Sequence, residues 1–167
     1  MLVNSVSGEN KTARMRIWRA LKASGAVALR DGVYLLPRSD SARAVFAGQA
    51  EEVVAAGGTA HILALDGEDD IQHGALVRLF DRGADYAQLF ARLDVFNSAI
   101  ARLDEAEARR QAAALRREVA ALVAIDFFPG AARRQVESAL VDCEASLNAQ
   151  FSPDEPHPAK RAITPYM

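Results

Sequence analysis

The stretch Lys11-Thr-Ala-Arg-Met-Arg-Ile-Trp-Arg-Ala-Leu-Lys-Ala-Ser-Gly25, followed directly by Ala26-Val-Ala-Leu-Arg-Asp-Gly-Val-Tyr-Leu-Leu-Pro37, decides the fold. Its first part reads as a helix over residues 10–24, with Asn10 or Thr12 as N-cap and Gly25 as the stop. Two short β-prone runs, Ala26 to Leu29 and Val33 to Leu36, then flank Arg30-Asp31-Gly32. Asp-Gly between apolar runs is a hairpin signal, because the tight turn needs the positive φ that glycine accepts at Gly32. Upstream, Leu2-Val-Asn-Ser-Val6 is another β-prone run. Downstream, Asp40 or Ser41 is the expected cap of a second helix, whose Ala42, Val45, Phe46, Ala50, Val53 and Val54 recur at three and four. Gly57-Gly58 ends it, and residues 59–65 (Thr-Ala-His-Ile-Leu-Ala-Leu) read as a fourth strand. The order is βαββαβ, which predicts a ferredoxin-like α+β sheet over residues 1–67 with both helices on one face. In that arrangement Ile17, Trp18 and Leu21 form the apolar face of the first helix, with Arg14 lying among them. Trp18, Leu21, Phe46 and Val53 are expected to be buried against Val27, Tyr34 or Ile62.

Beyond Asp66-Gly67 the pattern changes to helix, and residues 68–150 are expected to form an antiparallel helical hairpin or three-helix annex. Leu76, Leu79 and Phe80 mark a short helix. Tyr86, Leu89, Phe90, Leu93, Phe96, Ile100 and Leu103 repeat at three or four along a long one. Asp104-Glu-Ala-Glu107 has capping-box spacing ahead of Leu115, Val119, Leu122 and Val123. Phe128-Pro129-Gly130 must interrupt the helix, and a last one is expected from Ala131 to Ala149. The period drifts between 3.5 and 3.6, so an intermolecular coiled coil is an alternative. Residues 151–167, with four prolines and few apolar side chains, read as a disordered tail or linker.

The composition is that of a globular protein: of 167 residues half are hydrophobic and a quarter charged, with a net charge of -2. The single cysteine, Cys143, leaves no intrachain disulfide and points to a reducing, cytoplasmic setting. No apolar run approaches the ~18 residues of a membrane span.

Against that slightly acidic background, Lys11, Arg14, Arg16, Arg19 and Lys22 crowd one helix, and Arg30 sits at the adjacent hairpin. The candidate site is Arg14, Arg16, Arg19, Lys22 and Arg30, surrounding a pocket of oxyanion size if the hairpin folds back beside the helix. Guanidinium forks suit tetrahedral oxyanions and phosphodiesters alike, so DNA and a small oxyanion both fit. A solvated basic face with a salt-bridged Arg14 is the alternative. Other chemistry finds little support. His61, His73, His157 and Cys143 lack metal-ligand spacing, so no metal or cofactor is expected. His61 reads as half-buried in its strand and His73 as surface. Cys143 lies between Asp142 and Glu144, which raises a thiol pKa and argues against a nucleophile. A ferredoxin-like nuclease would need a carboxylate at the end of the first strand, where Val3-Asn4-Ser5-Val6 has none. Asp81 and Asp85 bracket Arg82 on the third helix as a surface ladder, with Asp85 and Tyr86 as a possible carboxylate–phenol pair. Arg109, Arg110, Arg116 and Arg117 alternate with Glu105, Glu107 and Glu118, the mixture of a solvated face.

Thr12 to Lys22 and Leu29-Arg-Asp-Gly-Val-Tyr-Leu-Leu-Pro37 resemble the signature of the N-terminal domain of ChrB, a chromate-resistance regulatory family. Leu79-Phe-Asp-Arg82 with Tyr86, and Ile125-Asp-Phe-Phe-Pro-Gly130, resemble later blocks of the same domain. Longer members carry a second domain beyond this region, and nothing of it is carried over here. The resemblance implies a regulator of a chromate-efflux operon rather than an enzyme, with promoter DNA or chromate as partners and dimerisation through the sheet edge or helical annex. No helix-turn-helix pattern is visible, and the sequence pI of about 5.9 is low for a nucleic-acid module. A protein–protein interaction or dimerisation module with no ligand of its own is the alternative.

Overall fold

The computed structural model describes residues 1–8 and 10–152. The tail expected over residues 151–167 lies outside the described residues beyond Ser152, and Phe151 still belongs to the last helix. The fold is α+β. Its elements are β1 (Leu2–Ser5), α1 (Lys11–Ala23), β2 (Val27–Arg30), β3 (Val33–Leu35), α2 (Asp40–Ala55) and β4 (Thr59–Ile62). Then follow α3 (Asp70–Arg78), α4 (Gly83–Ala99), a 3-10 turn (Ile100–Arg102), α5 (Glu105–Ala124) and α6 (Ala131–Phe151). The four strands make one sheet in the order β2-β3-β1-β4, and every neighbouring pair is antiparallel.

The local signals act largely where the residues place them. The Asn10 side chain accepts from the Ala13 N–H at 3.2 Å and Gly25 closes α1 at φ +80°. Gly32 has φ +74° and its carbonyl accepts from the Asn4 N–H at 2.7 Å, so the hairpin turn is fastened to β1. The N-cap of α2 is Ser39, whose hydroxyl accepts from the Ala42 N–H at 3.0 Å. Asp40 is instead the first helical residue, where its charge meets the positive helix end. β4 is shorter than its apolar run, stopping at Ile62.

Leu2, Ile17, Leu21, Phe46 and Val53 form a buried cluster, with Val6, Tyr34, Leu36 and Ala60 packed against it. Leu21, Phe46 and Val53 are thus core, as expected, but Trp18 is not: it is 41% exposed. The buried stripe of α1 is Ala13, Ile17 and Leu21, at i, i+4 and i+8. The small Ala13 lets the helix sit close to its neighbours. That rotation carries Trp18 and Arg14 outward, so Arg14 does not lie within the apolar face. Ile62 and His61 are exposed too.

The second cluster joins Tyr86, Leu89, Leu93, Phe96 and Ile100 to Leu115, Val119, Leu122, Val136, Cys143 and Leu147. The apolar stripes of α4, α5 and α6 therefore face one another within a single chain. Asp104 caps α5 by accepting from the Glu107 N–H at 3.0 Å. α3 ends at Arg78, so Leu79 and Phe80 follow it and Asp81 and Arg82 occupy a break rather than a helix. There Asp81 accepts from the Gly83 N–H at 2.9 Å, a local bond that competes with helix continuation.

Candidate functional site

All five cations of the candidate site are exposed. The hairpin lies beside the first half of α1: a guanidinium nitrogen of Arg14 is 4.0 Å from the Asp31 carboxylate, whose side chain is 93% exposed. Burial first, then the Asp31 charge, push the Tyr34 phenol up, while Arg14 pulls it down, which puts all three in one neighbourhood. Arg30 adjoins Asp31 in sequence and is exposed at the end of β2. On the other flank Arg16 donates to Glu52 of α2, so it is drawn away from the hairpin. The Lys22 ammonium stands 5.1 Å from the ring centroid of Trp18, a cation–π contact. The side chains of Arg19 and Arg30 have no ion-pair or hydrogen-bond partner among the described residues. The geometry brings Arg14 to Asp31 of the hairpin turn and leaves Arg16, Arg19 and Lys22 spread along the helix. Exposed pairs of this kind contribute about 0–1 kcal/mol, so the cations remain available to an incoming anion.

A second polar centre went unread in the sequence. The Tyr86 phenol donates to the Asp126 carboxylate at 2.9 Å, and both residues are buried. Burial and that bond raise the Tyr86 pKa far above its ordinary value. Tyr86 therefore pairs with Asp126 from the α5–α6 loop, whereas Asp85 forms an ion pair with Arg82 at 3.5 Å. The Arg82 Nε is buried without a hydrogen-bond partner among the described residues. The only hint of this centre in the sequence was Asp126 within Ile125-Asp-Phe-Phe-Pro-Gly130. That loop is also a junction. Phe127 meets the Phe80 ring edge-on at 5.9 Å between centroids, and Phe128 meets it at 5.7 Å. A Cβ on Gly25 would lie 2.8 Å from Ile125 Cβ and 2.9 Å from Phe127 Cε2, so the end of α1 touches the same loop.

Elsewhere the mixed charges pair as a solvated face would: Arg109 with Glu105, Arg110 with Glu107, Arg116 with Glu144. Burial first, then Asp142, Asp94 and Glu144, push the Cys143 thiol up, and it donates to the Leu93 carbonyl at 3.4 Å. Among the described residues no group of three His, Cys, Asp or Glu is placed to hold a metal ion, and no helix is long and apolar enough to cross a membrane.

The chain is thus an α+β protein that couples a four-stranded antiparallel sheet to a three-helix bundle and displays a cationic helix beside a hairpin. It belongs to the family described as Protein ChrB, N-terminal, whose signature matches residues 14–152. It is 38% identical over 157 residues to Protein ChrB of Cupriavidus metallidurans, covering 94% of the present chain and 48% of that protein. The chain therefore spans about half the length of the curated relative it matches. No solved structure matches it.

Proposed function

We propose that the chain is a regulatory protein of chromate resistance that binds promoter DNA through α1 and the β2–β3 hairpin, with chromate competing for the same cations. One observation carries this reading: the thirteen residues of α1 hold five cations and no carboxylate, and Arg14, Arg16, Arg19 and Lys22 are all exposed. A row of exposed guanidinium groups on a convex helix suits a string of phosphates better than one small anion, which needs enclosing donors. Chromate would then compete at the hairpin, where Arg14 meets Asp31 and Arg30 is its neighbour in sequence. The sheet half is inferred to be ferredoxin-like, a reading supported by the βαββαβ order and the strand order β2-β3-β1-β4. Residues 1–67 and 68–150 are taken as two units, because their hydrophobic clusters share no member. Dimerisation belongs to the same reading, since β2 and β4 are edge strands. The sole, buried cysteine favours a cytoplasmic setting.

A second reading, docking to another protein, is favoured by Met15 and Trp18, 46% and 41% exposed on the same helix. Fluorescence anisotropy on DNA from upstream of the gene, over a salt series with and without chromate, separates the two. A log–log salt slope of several units, reduced by about one unit in each of Arg14→Ala and Arg30→Ala with folding intact, is the expected result. Binding that ignores salt and both substitutions would sink the DNA reading.

A further inference from the structure

A cleft of about 550 Å³ opens between the N-terminal turn of α2, the end of β4, α3 and the phenylalanines of the junction. Leu36, Phe46, Ile62, Leu76, Phe80 and Phe128 supply apolar walls. Arg38 and Arg43 also line it, on either side of the Ser39 cap, and neither guanidinium has an ion-pair or hydrogen-bond partner among the described residues. Asp66 is the one carboxylate of the lining, which also holds Met1 with the chain's N-terminus and His73. The volume lies within the range of about 300–1,000 Å³ found for small-molecule sites, which are likewise mostly apolar with a few polar groups that fix orientation.

We propose that this cleft binds a small amphipathic organic anion, its apolar body against Phe46, Ile62 and Leu76 and its carboxylate on Arg38 and Arg43. Charge and shape select that class together. An inorganic oxyanion would gain nothing from the apolar walls, and an uncharged hydrocarbon would gain nothing from the two exposed guanidinium groups at its rim. A folded protein partner needs roughly 800 Å² of matched surface, far more than a cleft of this size offers. Guanidinium forks accept a carboxylate side-on, and the open side lets that head keep part of its hydration. Phe46 belongs to the sheet cluster, whereas Phe80 and Phe128 belong to the junction with the helices. A bound ligand would therefore bridge the two halves and stabilise their contact. The site shares no residue with the cationic face of α1 and does not depend on the DNA reading.

Calorimetric titration of the full chain with decanoate and with decanol tests the proposal. Decanoate should bind saturably and at least ten-fold more tightly than decanol. The double variant Arg38→Gln, Arg43→Gln should erase that ratio while leaving decanol binding as it was. Ala42→Trp, which fills the cleft from α2, should abolish both, with Leu76→Trp as a second filling variant if the first does not fold. Equal affinity for acid and alcohol in the parent, no saturable decanoate binding, or decanoate binding undiminished in a folded cleft-filled variant would each overturn it.

Discussion

Gly32 shows how one residue can tie a turn to a strand. Its φ of +74° disfavours any L side chain, and a Cβ there would lie 2.5 Å from the Asn4 carbonyl oxygen. Gly32→Val should therefore cost more than the ~1–3 kcal/mol of backbone strain alone, read as a fall in the urea midpoint. Tyr86 and Asp126 give a second test. Tyr86→Phe removes the donor from a buried carboxylate and should cost about 1–3 kcal/mol. It should also change the alkaline limb. The folded phenol has a raised pKa, so its stabilisation is complete below about pH 10, the ordinary tyrosine value. That stabilisation is lost as pH climbs from there toward the folded value, because the unfolded chain ionises first. Chemical denaturation at pH 8 and pH 11 should show a smaller loss in Tyr86→Phe than in the parent. The Asp-Gly turn was legible from two residues. The phenol's partner was not, because forty residues separate it from Tyr86 and neither side chain carries a local signal.

At the scale of the element, α1 turns on which of its apolar residues faces the sheet. Ile17 and Leu21 are buried, while Trp18 is exposed beneath Lys22. Ile17→Ala should cost about 2–5 kcal/mol and Trp18→Ala under about 1 kcal/mol, both measured by thermal or urea melts. Periodicity finds that a helix exists and where it stops, but residue size misleads about its rotation: the largest apolar ring invites burial, yet the small Ala13 takes the place on the buried stripe. The same helix meets α2 through Arg16 and Glu52. Glu52→Gln releases Arg16, so DNA affinity should rise and the salt slope steepen by up to about one unit if that cation contacts phosphate. A slope unchanged by Glu52→Gln would place Arg16 outside the binding surface.

For the whole molecule, the decisive contact is the meeting of the α1 end, Phe80 and the Ile125–Phe128 loop. Gly25→Ala would drive a Cβ into Ile125 and Phe127 from a backbone at φ +80°, so it should destabilise more than the usual ~1 kcal/mol of a glycine replacement. Hydrogen exchange should show the loss in α1 and in the loop before α6 together. By itself the sequence determined the number and order of the elements in the sheet half, the cap at Asp104, the turn at Gly32 and the stops at Gly25 and Gly57. These depend on neighbours within a few residues and on the two periods of strand and helix. Only the tertiary structure decided that Trp18 and Arg14 turn outward, that Arg16 goes to Glu52, that Tyr86 meets Asp126, and that Arg38 and Arg43 line an apolar cleft. Each of those depends on how two packed elements rotate about each other, and that rotation is set by side-chain volumes across an interface rather than by residues adjacent in the chain.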